Sequence, residues 1–293
     1  MIDFHTHPVL IQELARKYPD YERSTREVFY IGNNLQPLEI FFLQMDVAGI
    51  ERAVLLPVDC RRARKLAVSS NEQVAELCRR STRFIGFASV DPMRRGAERE
   101  LREAVNGLGL RGLKLDPALQ DFAPGDRKAY GVYEAAAELG IPVLMHTGLS
   151  WAPHTPLQRC HPLLVEEPVR RFPKLNFVLA HFGWPWVWDA VAMALKYPNV
   201  FLDTSCLYYD SPAEFFQFVF SRQIPTTLIE RSLRNQIVFG SNYPRVEIKN
   251  MVHALKSLNL TSGCLEKIFR TNAERLLQAR VPEKKTRSRK QAS

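Results

Sequence analysis

Four of the seven histidines close short apolar runs. His5 and His7 end "MIDFHTH", His146 lies in "IPVLMHTG" and His181 in "NFVLAHFG". Alternate residues of a strand share a face, so His5 and His7 leave the first run side by side. Neutral imidazoles are nitrogen donors that suit a divalent ion such as zinc at about 2.0–2.1 Å. Two from one strand and one from each of two others would supply the corners of a metal site. A lone histidine more often serves as a hydrogen-bonded structural residue. The joint placement of four at strand ends is what favours metal chemistry. His154, His161 and His253 fall in loops or helices and read as rim or surface residues.

The elements that must position these groups are visible as eight apolar runs: 1–7, 53–59, 83–91, 109–116, 141–148, 176–183, 200–205 and 236–242. Most are rich in Val, Ile, Leu and Phe on both faces, the pattern of strands buried on two sides in a parallel sheet. Helical periodicity separates them: 71–81, 97–109, 130–140 ending at Gly140, 161–173 broken by Pro168, and 186–198. Strand and helix alternate, which predicts an α/β fold, a single (β/α)8 barrel with its chemistry at the mouth formed by the strands' C-terminal ends. The long polar and aromatic stretch from Pro8 to Glu39 is expected to fold over that mouth as an insertion after the first strand. A helix over 37–50 then leads to the second strand, and one over 264–279 closes the ring. The barrel domain is expected to span 1–279, with no internal repeat and no second domain.

The chain has 293 residues, 46% hydrophobic and 24% charged, with a formal net charge of +9. The tail from Arg280 holds six basic residues and one acid, so more than half of the excess is local. That tail, 280–293, is expected to be disordered. The remaining charges are dispersed, which argues against nucleic acid as a partner. No run of about 18 apolar residues predicts a membrane span, and the opening "MIDF" gives no sign of a signal peptide. The five cysteines include no CxxC pair. They read as reduced thiols, and a cytoplasmic location is expected.

"DFHTHP", "GLKLDP", "VLMHTG", the stretch from "HPLLVEEPV" to "VFLDTS", "IVFGSNYPR" and "RTNAERLL" together resemble the amidohydrolase-2 branch of the amidohydrolase superfamily. These are metal-dependent hydrolases and non-oxidative decarboxylases built on a TIM barrel, the latter similar to aminocarboxymuconate semialdehyde decarboxylase. The resemblance implies that His5, His7 and His146 bind one divalent ion, zinc or manganese, and that His181 is the catalytic acid/base. It also implies that position 242 ligates the metal and shuttles a proton. The family's aspartate is replaced there by Asn242, whose amide oxygen can touch a metal but cannot accept a proton as a base. The HxH opening favours hydrolysis of an ester, lactone or amide through a metal-activated water. A decarboxylase of an aromatic or unsaturated acid is the alternative, and a metal-binding but catalytically impaired chain is the third reading.

Substrate contacts are sought among Trp151, Trp184, Arg245 and Lys114. The tryptophans would cover a flat or apolar small molecule, and Arg245, or Arg61 and Arg62, would meet a carboxylate. Lys114 lies within the fourth strand, where a lysine is costly to bury unless paired. Because the resembling branch is mononuclear, Lys114 is assigned to structure or to a substrate carboxylate. Asp59, Asp116 and Asp203, all at strand ends, are expected to act as caps or loop hydrogen-bond acceptors. Trp186 and Trp188 are expected to pack within the following helix. A homodimer is compatible with the family.

Overall fold

The computed structural model describes residues 1–205 and 211–278; Cys206 and the tail 280–293 lie outside the described residues. Eight strands run β1 (Ile2–Thr6), β2 (Arg52–Leu55), β3 (Phe84–Gly86), β4 (Leu113–Leu115), β5 (Val143–Met145), β6 (Phe177–Leu179), β7 (Val200–Asp203) and β8 (Ile237–Val238). Each falls inside a predicted run, except that β2 begins one residue early, at Arg52. Every ladder is parallel, in one sheet of order β1-β2-β3 and a second of order β4 to β8. Backbone hydrogen bonds join the two sheets at both seams. Ala88 N donates to Gly112 O and Lys114 N to Ala88 O, each at 2.7 Å, while Phe4 N reaches Phe239 O at 2.7 Å and His7 N reaches Tyr243 O at 2.8 Å. The eight strands therefore close into a TIM-type ring.

Helices follow the strands as α1 (Leu38–Ala48), α2 (Asn71–Arg80), α3 (Ala97–Leu108), α4 (Tyr130–Leu139), α5 (Glu166–Arg171), α6 (Val187–Lys196), α7 (Pro212–Gln217), α8 (Ile248–Lys256) and α9 (Asn272–Leu277). Local chemistry sets their ends. Ser70 and Gln73 form a reciprocal capping box at the start of α2, and Gly140 in left-handed conformation ends α4. The segment containing Pro168 does divide, into a 3-10 turn (Pro162–Val165) and α5. The break lies at Val165, and Pro168 sits in the first turn of α5, where its missing N–H is no loss. Among the described residues no helix is long and apolar enough to cross a membrane.

Two apolar layers result. The outer one lies between the strands and the ring of helices. The inner one fills the lumen with Ile2, Phe4, Val54, Leu56, Phe87 and Phe201 among others, and α9 plugs its lower end with Ala273, Leu276 and Leu277. The barrel is therefore solid below the mouth. Above it, the insertion folds into two short helices, Gln12–Lys17 and Asp20–Glu27. Its Val9, Leu10, Val28, Phe29 and Ile31 pack with Val58, Leu119 and Ala152 of the strand-end loops. This small third core holds the insertion over the mouth, as the sequence leads one to expect.

Phe87 fills the lumen only because the residue just before β4, Gly112, has no side chain against it. A Cβ at Gly112 would lie 2.3–2.4 Å from the Phe87 ring. Gly112→Ala should therefore displace the ring and cost about 1–3 kcal/mol, read as a lowered urea midpoint with an unchanged m-value.

Candidate metal centre and active site

β1 does not reach the mouth by simple alternation. Ile2 and Phe4 belong to the lumen core, so strict period-two alternation would turn His5 and His7 outward. The register against β2 shifts between Asp3 and Thr6. This bulge inserts one residue and returns His5 and His7 to the inner face. A comparable adjustment serves His181. Ala180 is in the lumen core, and the left-handed backbone of His181 (φ 58°) and Phe182 (φ 49°) swings the next ring inward as well. Asn242 is also left-handed (φ 67°), a conformation asparagine tolerates better than most residues. Its N–H donates to His5 O at 2.8 Å. β8 can approach His5 this closely because position 240 is glycine, where a Cβ would stand 2.7 Å from His5 Cβ.

The four imidazoles converge. Ring centroids are 5.0 Å apart for His5 and His7, 4.9 Å for His5 and His181, and 5.0 Å for His146 and His181. Their protonation patterns follow from what holds each Nδ1. His7 Nδ1 lies 3.0 Å from Leu56 O, a pure acceptor, so it must carry the proton and donate. His5 Nδ1 donates to Asp203 Oδ2 at 2.8 Å. His181 Nδ1 donates to Ser205 O at 3.1 Å and contacts Ser205 Oγ at 2.7 Å. The Ser205 hydroxyl itself donates to Asp203 Oδ1, leaving its oxygen as an acceptor for the ring. His146 is tied to the Leu149 backbone, while its Nε2 is buried without a hydrogen-bond partner. All four rings thus present an Nε2 lone pair.

Two of those lone pairs meet. His5 Nε2 and His7 Nε2 are 3.1 Å apart, with no proton to share between them. Burial moves all four rings away from protonation: His5, His7 and His181 are held well below the usual imidazole value, and His146 is lowered. Such a pair is repulsive by itself and is satisfied by a cation, since two nitrogens about 2.1 Å from one ion stand roughly 3.0–3.4 Å apart for angles between square and tetrahedral. The orphaned Nε2 of His146 faces the same demand. His5, His181 and Asp203 also bring one ligand-capable atom each within 4.8 Å of one another. The Asp203 oxygens are already engaged by His5 Nδ1, the His181 amide at 3.0 Å, the Ser205 amide at 2.9 Å and the Ser205 hydroxyl. Asp203 therefore works from behind the rings, fixing tautomer and orientation as a carboxylate behind a ligating histidine does.

A pocket opens above the rings, lined by His7, Lys114, His146, His181, Asn242 and Arg245, with Phe29, Tyr30 and Trp151 among its apolar walls. It gathers most of the residues singled out from sequence. Trp184 is not among its lining: it packs against the outer core, and its carbonyl accepts from Leu149 N at 2.8 Å. The Arg245 guanidinium lies over the Phe29 ring at 4.6 Å and donates to Phe29 O, tying the insertion to β8. Arg61 and Arg62 pair with Asp59 and Asp91 at the loop bases. Asp116 caps a short turn by accepting from Leu119 N at 2.9 Å, as expected. Trp188 is half exposed and does not pack as expected. The sequence identifies Asp203 only as a loop acceptor and does not single out Ser205. The motif "LDTS", with two polar residues at alternate positions closing a strand, was the available signal.

The family model described as Amidohydrolase (Amidohydro_2) matches residues 2–279. The chain belongs to the amidohydrolase family. No curated protein matches this amidohydrolase by sequence. Among solved structures it is similar to an uncharacterized TIM-barrel protein from Bordetella bronchiseptica, with 26% identity, TM-score 0.76, and 94% of this chain and 98% of that one covered. It also shares its fold with 2,6-dihydroxybenzoate decarboxylase from Rhizobium (19%, TM-score 0.62, 94% and 98% covered). A third similar structure is 5-carboxyvanillate decarboxylase from Novosphingobium aromaticivorans with bound manganese (18%, TM-score 0.61, 94% and 97% covered).

Two outcomes test this geometry. Asp203→Asn should leave the barrel folded but weaken divalent-ion affinity about 10–100-fold, measured by competition with a chromogenic chelator. Metal-free protein should lose stability as pH falls below about 6.5, because unfolded histidines take up protons that the buried rings refuse. Each such ring contributes up to about 1.4 kcal/mol per pH unit. Asp3, raised by burial to about 7, acts with the opposite sign and offsets part of the loss. A flat urea midpoint between pH 7 and 5 would contradict the buried, neutral assignment.

Proposed function

We propose that this chain is a metal-dependent hydrolase of an ester, lactone or amide carbonyl, with the barrel of residues 1–279 as its catalytic unit. The observation that carries the metal dependence is the 3.1 Å approach of the His5 and His7 Nε2 atoms, both deprived of a proton by their Nδ1 partners; the HxH opening is what favours hydrolysis. His5, His7 and His146 would hold one divalent ion, with the Asn242 amide oxygen beside them. An all-nitrogen set favours zinc, while the manganese in the Novosphingobium decarboxylase supports manganese as the alternative. When bound, the ion supplies Lewis acidity that polarises a carbonyl and acidifies water.

The remaining work falls to the chain's own side chains. His181 lines the pocket with Nδ1 donated to Ser205, so its Nε2 is the proton acceptor for an attacking water and returns that proton to the leaving group. Asn242 orients the water by hydrogen bonding and takes no proton. Phe29, Tyr30 and Trp151 narrow the pocket over a small substrate and limit water access. A small molecule is thus the partner this reading requires.

Carbon–carboxylate cleavage is the second reading, favoured by the decarboxylases among similar folds. There His181 would deliver a proton to carbon. Zinc- or manganese-loaded protein assayed against esters, lactones, amides and hydroxybenzoates separates the two. Hydrolysis products support the proposal, whereas carbon dioxide release without hydrolysis moves the chain to the carboxy-lyases. Turnover that emerges only in Asn242→Asp would make the natural chain a metal-binding protein with impaired catalysis. Within the hydrolase reading, His5→Ala and His7→Ala should each abolish stoichiometric metal, measured by elemental analysis. His181→Ala should keep the metal and lower kcat by about 10²–10⁴-fold; an unchanged kcat removes His181 from the reaction.

A further inference from the structure

Lys114 is among the largest fully buried side chains, with 1% of its surface exposed. It stands on the inner face of β4, beside Leu144 of β5 in register, and it lines the pocket above the rings. Among the described residues its Nζ makes no hydrogen bond, and no carboxylate lies within ion-pair distance. The nearby acids are committed elsewhere. Asp116 caps the turn at Leu119, and Asp203 is saturated by His5, His181 and Ser205. Burial accordingly works against its charge, with Asp116 and Asp203 opposing that effect. Arg245, the other cation of the pocket, is held by the Phe29 carbonyl and ring.

An unpaired buried ammonium is among the costliest groups a fold can retain, and replacing it with an apolar chain of similar volume is commonly stabilising. Lys114 lies in the wall of a cavity rather than in sealed core, so a molecule entering that cavity can satisfy it. The group that does so is an anion with acceptor oxygens, and the apolar walls contributed by Val28, Phe29, Leu119 and Trp151 suit a flat or aliphatic body between its ends. We propose that Lys114 anchors a carboxylate of the substrate, separate from the carbonyl that reacts at the histidine cluster. This deepens the hydrolase reading and rests on it: the substrate class becomes a carboxylate-bearing ester, lactone or amide.

The test titrates the full chain with benzoate and with benzamide, its neutral counterpart, by calorimetry. Wild type, Lys114→Met and Lys114→Arg are each measured metal-free and manganese-loaded. Benzoate should bind at least tenfold tighter than benzamide to the wild type. Lys114→Met should lose at least tenfold in benzoate affinity, leave benzamide affinity within twofold, and melt at or above the wild-type temperature. Lys114→Arg should retain a preference for benzoate. Equal binding of the two probes to metal-free wild type overturns the proposal without reliance on any variant. So does benzoate binding that requires manganese and ignores Lys114→Met, an outcome that leaves the metal site standing. Conversely, benzoate binding lost in Lys114→Met, in a protein that takes up no manganese, sustains the anion site and overturns the metal reading.

Discussion

The site depends on which nitrogen of each imidazole keeps its proton. Oxygens that can only accept hold Nδ1–H of His5 and His7, and Ser205 does the same for His181. Each Nε2 is thereby left as a bare donor atom facing its neighbours. Neutral rings packed this way repel one another at their lone pairs, and burial bars the protons that would otherwise relieve the strain. The barrel closes around an unsatisfied demand for positive charge. A cation that met this demand would sit at the mouth of a lumen that is apolar and solid below it.

Asp203 and Ser205 join this cluster into one unit. A single carboxylate receives His5, the amides of His181 and Ser205, and the Ser205 hydroxyl, which in turn receives the His181 ring. The C-terminal end of β7 thus controls the orientation of two rings that come from β1 and the end of β6. Full satisfaction of a buried carboxylate is what makes such a network rigid rather than costly. It also explains why Asp203 stands behind the imidazoles, although its oxygens lie close enough to count among ligand-capable atoms.

Asn242 alters the chemistry without altering the shape. Its left-handed backbone and its bond to His5 O hold the β8 loop at the site. The side chain has the outline of an aspartate without charge or basicity. In the proposed reaction proton transfer falls to His181, the remaining imidazole that lines the pocket outside the proposed ligand set. Lys114 adds a lysine to the same cavity, close enough to act on all four imidazoles, and the insertion supplies Phe29 and Tyr30 as a roof fastened by Arg245. Charge, apolar surface and a bare donor set are therefore concentrated in one small cavity.

Much of this was legible in the order of residues alone. Eight apolar runs separated by helical periodicity point to a parallel α/β fold, because strands buried on both faces must be covered either by helices on each side or by closure into a ring. The histidines at the run ends are committed to the mouth by the same logic, and Pro8–Glu39 is too long and aromatic to be a mere linker. Three things were decided only in three dimensions. The bulge in β1 and the left-handed backbone at His181 reverse what alternation implies for facing, and a left-handed Asn242 holds the loop after β8 against His5. The role of Asp203 depends on its meeting a histidine 198 positions away, which no local pattern encodes. Trp184 and Lys114 reached opposite fates, one packed into the outer core and one left without a partner in the cavity wall. Sequence specifies which groups are present, whereas the partner each group finds depends on distances that exist only after the ring has closed.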